Sequence, residues 1–187
     1  MGFWYLFGSM IYRWEHYKQK ALKSFYQRYY SGKIEKKGAG CYFNGPMKIR
    51  GTDQVSLGKN VHIGEGAYIR AEGGLEIEDN VHIARNLTVY THSHNYQGRA
   101  LPYDDDFMYK KVLIQRNVWI GINVIILPGT EIGEGAVIGS GAVVHGKIPD
   151  LAIIGAAAGQ ILKTRDKEHY QKLEQNQQYG GQNGKPL

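Results

Sequence analysis

The sequence predicts an all-β solenoid, on two observations: an aliphatic residue at every sixth position, and a Gly or Asn three residues after most of them. Ile114, Ile120, Ile126, Ile132, Ile138 and Val144 keep the beat late in the chain. Earlier it runs through Leu57, Ile63, Ile69 and Leu75, then resumes two residues out of phase through Ile77, Ile83 and Val89. Neither a helix nor an ordinary strand has a period of six, so the repeat belongs to a coil. The partners three residues on are Asn60, Gly66, Asn80, Asn86, Asn117, Asn123, Gly129, Gly135 and Gly141, residue types that take positive φ at least cost. Each hexad is therefore a short strand plus a corner. One hexad cannot bury its aliphatic side chain alone, but three that close a triangular coil stack theirs into an interior column, which gives roughly five coils here.

Taken in order, residues 1–39 form an arm ahead of the coils. Its first thirty residues hold half of the chain's aromatics, from Phe3, Trp4 and Tyr5 to Tyr29 and Tyr30, interleaved with Arg13, Lys18, Lys20, Lys23 and Arg28. That composition predicts an amphipathic helix with two open fates. It can lie on an anionic membrane surface, or pack on the end of the solenoid and on sister subunits. The apolar run Phe3 to Tyr12 is too short to span a bilayer, and no secretory signal is visible, so the expected location is the cytoplasm, with the inner face of the membrane as an option. The coils fill residues 40–163. A polar helix is expected from Thr164 to about Gln178, and a disordered tail from Gly180 to Leu187.

Composition narrows the function classes. A net charge of +6 suits an anionic ligand, but no basic cluster or motif points to nucleic acid. The single cysteine, Cys41, rules out an internal disulfide and a cysteine-rich zinc site. The beat itself stops between Val89 and Ile114, across residues 90–111, for a polar and aromatic stretch that begins Tyr90-Thr91-His92-Ser93-His94-Asn95-Tyr96. An excursion from a rigid scaffold is where function concentrates.

Units such as Ile63-Gly64-Glu65-Gly66-Ala67-Tyr68 and Ile132-Gly133-Glu134-Gly135-Ala136-Val137 resemble the hexapeptide-repeat acyltransferases. The resemblance implies a left-handed parallel β-helix. The segment Ile83 to His94, with Val112-Leu113-Ile114-Gln115-Arg116-Asn117-Val118-Trp119-Ile120-Gly121 beyond the loop, is similar to the maltose and galactoside O-acetyltransferase branch. That branch implies acetyl coenzyme A as acyl donor, no metal, and a homotrimer with active sites between subunits. The general base falls at His94, with His92 as its rival or its orienting neighbour. Trp119 and Ser140 are expected along the coenzyme groove, a backbone N–H near Gly121-Ile122 at the thioester oxygen, and Lys163 near the nucleotide phosphates. Arg70 stands where the branch carries an acceptor-binding asparagine, and Arg70, His92, Met108 and Tyr109 are the candidate acceptor-binding residues.

The expected activity is O-acetylation of a sugar or surface-polysaccharide precursor. N-acetylation of an amino sugar, or acetylation of an antibiotic, is the alternative. Two other classes remain open: a non-enzymatic scaffold, and a metal hydratase of the γ-carbonic-anhydrase kind suggested by His62 and His82. Both of those lie in Asn-Val-His-Ile, which puts them one coil apart in the same outer column as Trp119.

Overall fold

The computed structural model describes residues 2–156, 166–176 and 178. It is a left-handed parallel β-solenoid that opens with a helix, α1 (Phe3–Lys33), and ends with a second, α2 (Lys167–Gln175). Each coil crosses three sheets. The first contains Lys36–Lys37, Val55–Leu57, Leu75–Ile77, Val112–Ile114, Glu131–Ile132 and Lys147–Ile148. The second contains Tyr42–Asn44, His62–Gly64, His82–Ile83, Trp119–Ile120, Val137–Ile138 and Ile153–Ile154. The third contains Lys48–Arg50, Tyr68–Arg70, Thr88–Tyr90, Ile125–Ile126 and Val143–Val144.

All thirteen predicted aliphatic positions are buried in one column. The nine predicted corner residues all have positive φ, from 55° at Asn60 to 79° at Gly129. Stacked corners also bond to one another, since Asn60 donates to Asn80 at 3.0 Å and Asn80 to Asn117 at 3.2 Å. Such ladders satisfy amide groups that solvent would otherwise have to reach.

The coil number differs from the roughly five expected, because the first sheet has six rungs. The missed coil opens at Lys36–Lys37, ahead of the expected start at residue 40, and buries Phe43 and Ile49. The spacing from Ile49 to Leu57 is eight residues because a 3₁₀ turn, Thr52–Gln54, is inserted there. The phase slip after Ile69 has the same origin, with Ala71 to Gly74 filling the same corner one coil later. On the first sheet, both Leu75 and Ile77 of one strand are buried, so the apparent loss of phase is one strand counted twice.

The last turns of α1 close the open end of the solenoid. The free edge of the first coil presents backbone groups that need partners. Gln27 accepts from the Phe43 N–H at 2.7 Å and donates to the Cys41 carbonyl at 3.1 Å, so its amide substitutes for the peptide of a missing strand. The Tyr30 hydroxyl accepts from the Ile49 N–H at 3.0 Å and donates to the Met47 carbonyl at 3.2 Å. Burial pushes the Tyr30 phenol up, which keeps it a neutral donor. The arm therefore packs on the solenoid end through its C-terminal third, while most of its length stays exposed. No helix among the described residues is long and apolar enough to cross a membrane. At the other terminus the expected polar helix is α2; the expected tail from Gly180 to Leu187 lies outside the described residues.

Candidate active site

The excursion leaves the solenoid at the corner between the third and first sheets, where the two earlier coils carry their extra residues. Thr91 fixes both ends of it. Its hydroxyl donates to the Arg70 carbonyl at 2.9 Å and accepts from the Gly73 N–H at 2.7 Å, while its carbonyl accepts from the returning Lys110 N–H at 2.8 Å. Between these points His92–His94 pairs antiparallel with Phe107–Tyr109, in the register His92 to Tyr109, Ser93 to Met108 and His94 to Phe107. Strand alternation then puts both histidines on one side of the hairpin, with Phe107 and Tyr109.

The loop tip is held by Asp104, which is buried and accepts from the Arg99 and Asp106 N–H groups at 2.9 and 3.2 Å. Helix α2 braces it from outside: Leu173 is buried there, and a ring nitrogen of His169 lies 3.0 Å from the Gly98 carbonyl.

Beside the hairpin lies a cavity of about 760 Å³, walled by Arg50, Arg70, Tyr90, His92, His94 and Phe107, with Leu127 and Pro128 opposite. The His94 ring stacks on Tyr103 at 3.9 Å and meets Phe107 at 4.5 Å. His94 Nδ1 is buried and bonded to no described protein group, and so are His92 Nδ1 and Glu72 Oε2. Arg70 donates through Nε to Glu72 Oε1 at 2.7 Å, and Glu72 Oε2 stands 3.7 Å from His92 Nδ1, beyond hydrogen-bond length. His92 is 5 % exposed, and its imidazole is held below the usual histidine range by burial and then by the Arg70 charge, against the opposing pull of Glu72. His92 is therefore a neutral ring at neutral pH.

Of the predicted site residues, His94, His92 and Arg70 meet in this cavity. Tyr109 touches it through the His92 ring, 5.7 Å away, while Met108 stands exposed on the other face of the hairpin. Gly121, Ile122 and Ser140 gather elsewhere, at the corner between the second and third sheets, while Trp119 stands just before it on the outer face of the second sheet. Trp119 is 59 % exposed there. Gly121 packs so closely on Ser140 that a Cβ would fall 2.7 Å from its backbone nitrogen. The Gly121 N–H is committed to the ladder, donating to the Ile138 carbonyl at 2.8 Å, so of the expected Gly121-Ile122 pair it is not the oxyanion donor. Ile122 lines a second cleft, of about 650 Å³, roofed by His16, Gln19, Lys20 and Lys23 of α1. Lys163 lies outside the described residues.

The two clefts flank the strand Ile125–Ile126 at its opposite ends, Ile122 before it and Leu127–Pro128 after it. Sequence reasoning missed Glu72, Tyr103, Phe107 and the α1 roof. Glu72 was within reach of a residue-pattern argument, since it follows Arg70 by two and the excursion begins one coil later at the same corner. Nothing periodic marks Tyr103.

His62 and His82 stack at 4.2 Å on the outer face of the second sheet, between Tyr42 and Trp119 in the register. No group of three or more His, Cys, Asp or Glu side chains suited to a metal converges among the described residues.

Residues 111–146 match the profile of the bacterial transferase hexapeptide (six repeats), and residues 54–91 that of the hexapeptide repeat of succinyl-transferase. The two matches flank the hairpin and leave it uncovered. A Mycobacterium tuberculosis protein that carries the name of an acetyltransferase is 35% identical over 134 residues, 60% of this chain and 45% of that protein. The galactoside O-acetyltransferase of Escherichia coli is 32% identical over 126 residues, 63% of this chain and 62% of that enzyme. The chain thus spans less than two thirds of either relative. Among solved structures, AntD, an N-acyltransferase from Bacillus cereus in complex with dTDP and coenzyme A, superposes with a TM-score of 0.58 at 26% identity, over 75% of this chain and 77% of AntD.

Proposed function

This chain belongs to the hexapeptide-repeat transferases, and from that premise we propose that it moves an acetyl group from acetyl coenzyme A to a hydroxyl of a sugar or surface-polysaccharide precursor, with His94 as general base. The observation that carries the reading is the hairpin cavity, in which a half-buried histidine with an unpaired Nδ1 faces a wall of arginine and aromatic side chains. An acetyl thioester is already activated, so the protein needs only to position the acceptor and move a proton. The His94 imidazole takes the proton of the acceptor hydroxyl as its oxygen attacks the thioester carbon. The carbon–sulfur bond then breaks, and the imidazolium returns the proton to the departing thiolate. The backbone of Ile122, on the chain that carries the donor, would stabilise the oxyanion, a contribution typically worth ~3 kcal/mol.

The donor has a strip to lie on. In the ladder Gly64, Ala84, Gly121 and Gly139 fall in one column, with no side chain larger than a methyl. That column and the His94 cavity stand at opposite ends of one strand, so a donor on the column would reach the His94 of a neighbouring chain, which favours the homotrimer. Arg70 and Arg50 would face the acceptor, and Met108 and Tyr109 its rim. A reaction that draws on acetyl coenzyme A fits a cytoplasmic enzyme.

The second reading is acetyl transfer to an amine, favoured by the likeness to AntD. The same base serves both acceptors. Calorimetric titration of acetyl coenzyme A into the purified oligomer tests the common ground: saturable binding near one site per chain is expected, and no binding would discard both readings. Competition between sugars and amino sugars would then separate them.

A further inference from the structure

The outward face of α1 remains without a role in the acetyl-transfer reading, and its direction can be derived. Gln27 and Tyr30 bond the free edge of the first coil, whose N–H and C=O groups point along the solenoid axis. That side of the helix therefore faces the solenoid. At 100° per residue, Phe3, Phe7, Met10, Trp14, Tyr17 and Phe25 share the opposite side. They stand exposed, Trp14 at 71 % and Trp4 beside them at 78 %. The residues that roof the second cleft, His16, Gln19, Lys20 and Lys23, lie on the inner side with Tyr30, so over residues 16–23 the helix turns polar side chains toward its own solenoid, and its outward side carries the apolar stripe.

From this inversion we infer that α1 docks on a bilayer surface rich in anionic phospholipid headgroups. The helix spans about 46 Å at 1.5 Å per residue, and its outer stripe includes the rings of Trp14 and Tyr17, residue types suited to the headgroup level. Six cations, Arg13, Lys18, Lys20, Lys23, Arg28 and Lys33, stand against the single anion Glu15. Arg13, Lys18 and Arg28 border or interrupt the aromatic stripe, where headgroup phosphates would meet them. Arg13, Lys18 and Arg28 also oppose the alternative occupant, a second copy of α1, because two such helices face to face would bring like charges together. The docking rests on α1 alone and does not depend on the acetyl-transfer reading.

The test is flotation of the full chain with vesicles of equal parts phosphatidylcholine and phosphatidylglycerol against vesicles of phosphatidylcholine alone. Partition into the anionic vesicles is expected to be at least ~10-fold stronger and to fall with salt, as polybasic contacts require. Trp14→Glu should abolish flotation, and the pair Arg13→Glu, Lys18→Glu should reduce it ~10-fold or more, while the melting temperature stays unchanged because neither touches the Gln27 and Tyr30 contacts. Equal partition into both vesicles, or none, overturns the inference. So does a particle mass in light scattering that halves on Trp14→Glu in a protein that never floats, which would assign the face to a second copy.

Discussion

Two pairs of histidines show what the solenoid can build and what it cannot. His62 and His82 are neighbours because the coil repeats: equivalent positions on successive rungs stack, with Tyr42 on one side and Trp119 on the other. His92 and His94 are neighbours because the chain leaves the coil, and the hairpin turns both rings toward residues of unlike kind: Arg70, Glu72, Tyr103 and Phe107. Register multiplies one environment. Departure from register collects several, and only the second pair gains a carboxylate, a guanidinium and a cavity.

The sharpest way to break this contrast is to remove one ring from each pair. His94→Ala is expected to lower turnover by 10² to 10⁴, as for loss of a general base, with coenzyme affinity little changed in calorimetry. His82→Ala should leave turnover within about twofold, since exposed sites away from the chemistry contribute little. A dead His82→Ala enzyme would end the distinction between the pairs. An active His94→Ala beside a dead His92→Ala would transfer the base to His92.

A smaller effect separates positioning from catalysis inside the hairpin. Glu72 is bonded to Arg70 and stands 3.7 Å from His92 Nδ1. Glu72→Ala strips Arg70 of its partner, and losing a charge-assisted bond of this kind costs ~1.5–3 kcal/mol, so kcat/KM should fall roughly 10- to 100-fold. Glu72→Gln, which can still accept from Arg70, should recover most of it. If Glu72→Ala matches His94→Ala in depth, the carboxylate is part of the proton path and the division drawn between the two histidines fails.

The same contrast explains what could be read from the sequence. Thirteen aliphatics and nine corner residues announced the coil, because every hexad repeats one physical demand. The first coil escaped notice because its return to the first sheet takes eight residues instead of six. His94, His92 and Arg70 came from a motif resemblance and do converge, whereas Tyr103 and Phe107 are brought there by a hairpin whose path no period dictates. For α1, composition announced an amphipathic helix but not which side meets the solenoid. Gln27 and Tyr30 decide that, by matching the particular backbone groups left open on the first coil.

The smallest effect distinguishes the pairs by acid. Burial holds both His62 and His92 below the ordinary histidine range, helped at His62 by the neighbouring His82 and at His92 by Arg70. The unfolded chain therefore takes up these protons first as pH falls through about 6.5, and stability drops until the depressed folded values are passed as well. His62→Gln removes one such group, so denaturant unfolding at pH 5 and pH 7.5 should differ less in the variant than in the parent, with turnover unaffected. His92→Asn should flatten the same slope but also slow the reaction, since its ring lies in the cavity wall. Flattening in both variants with loss of activity in only one would show that the two histidines share a burial cost and divide in function. An unchanged slope in His62→Gln would mean that the stacked ring on the outer face is solvated well enough to titrate as it does in the unfolded chain.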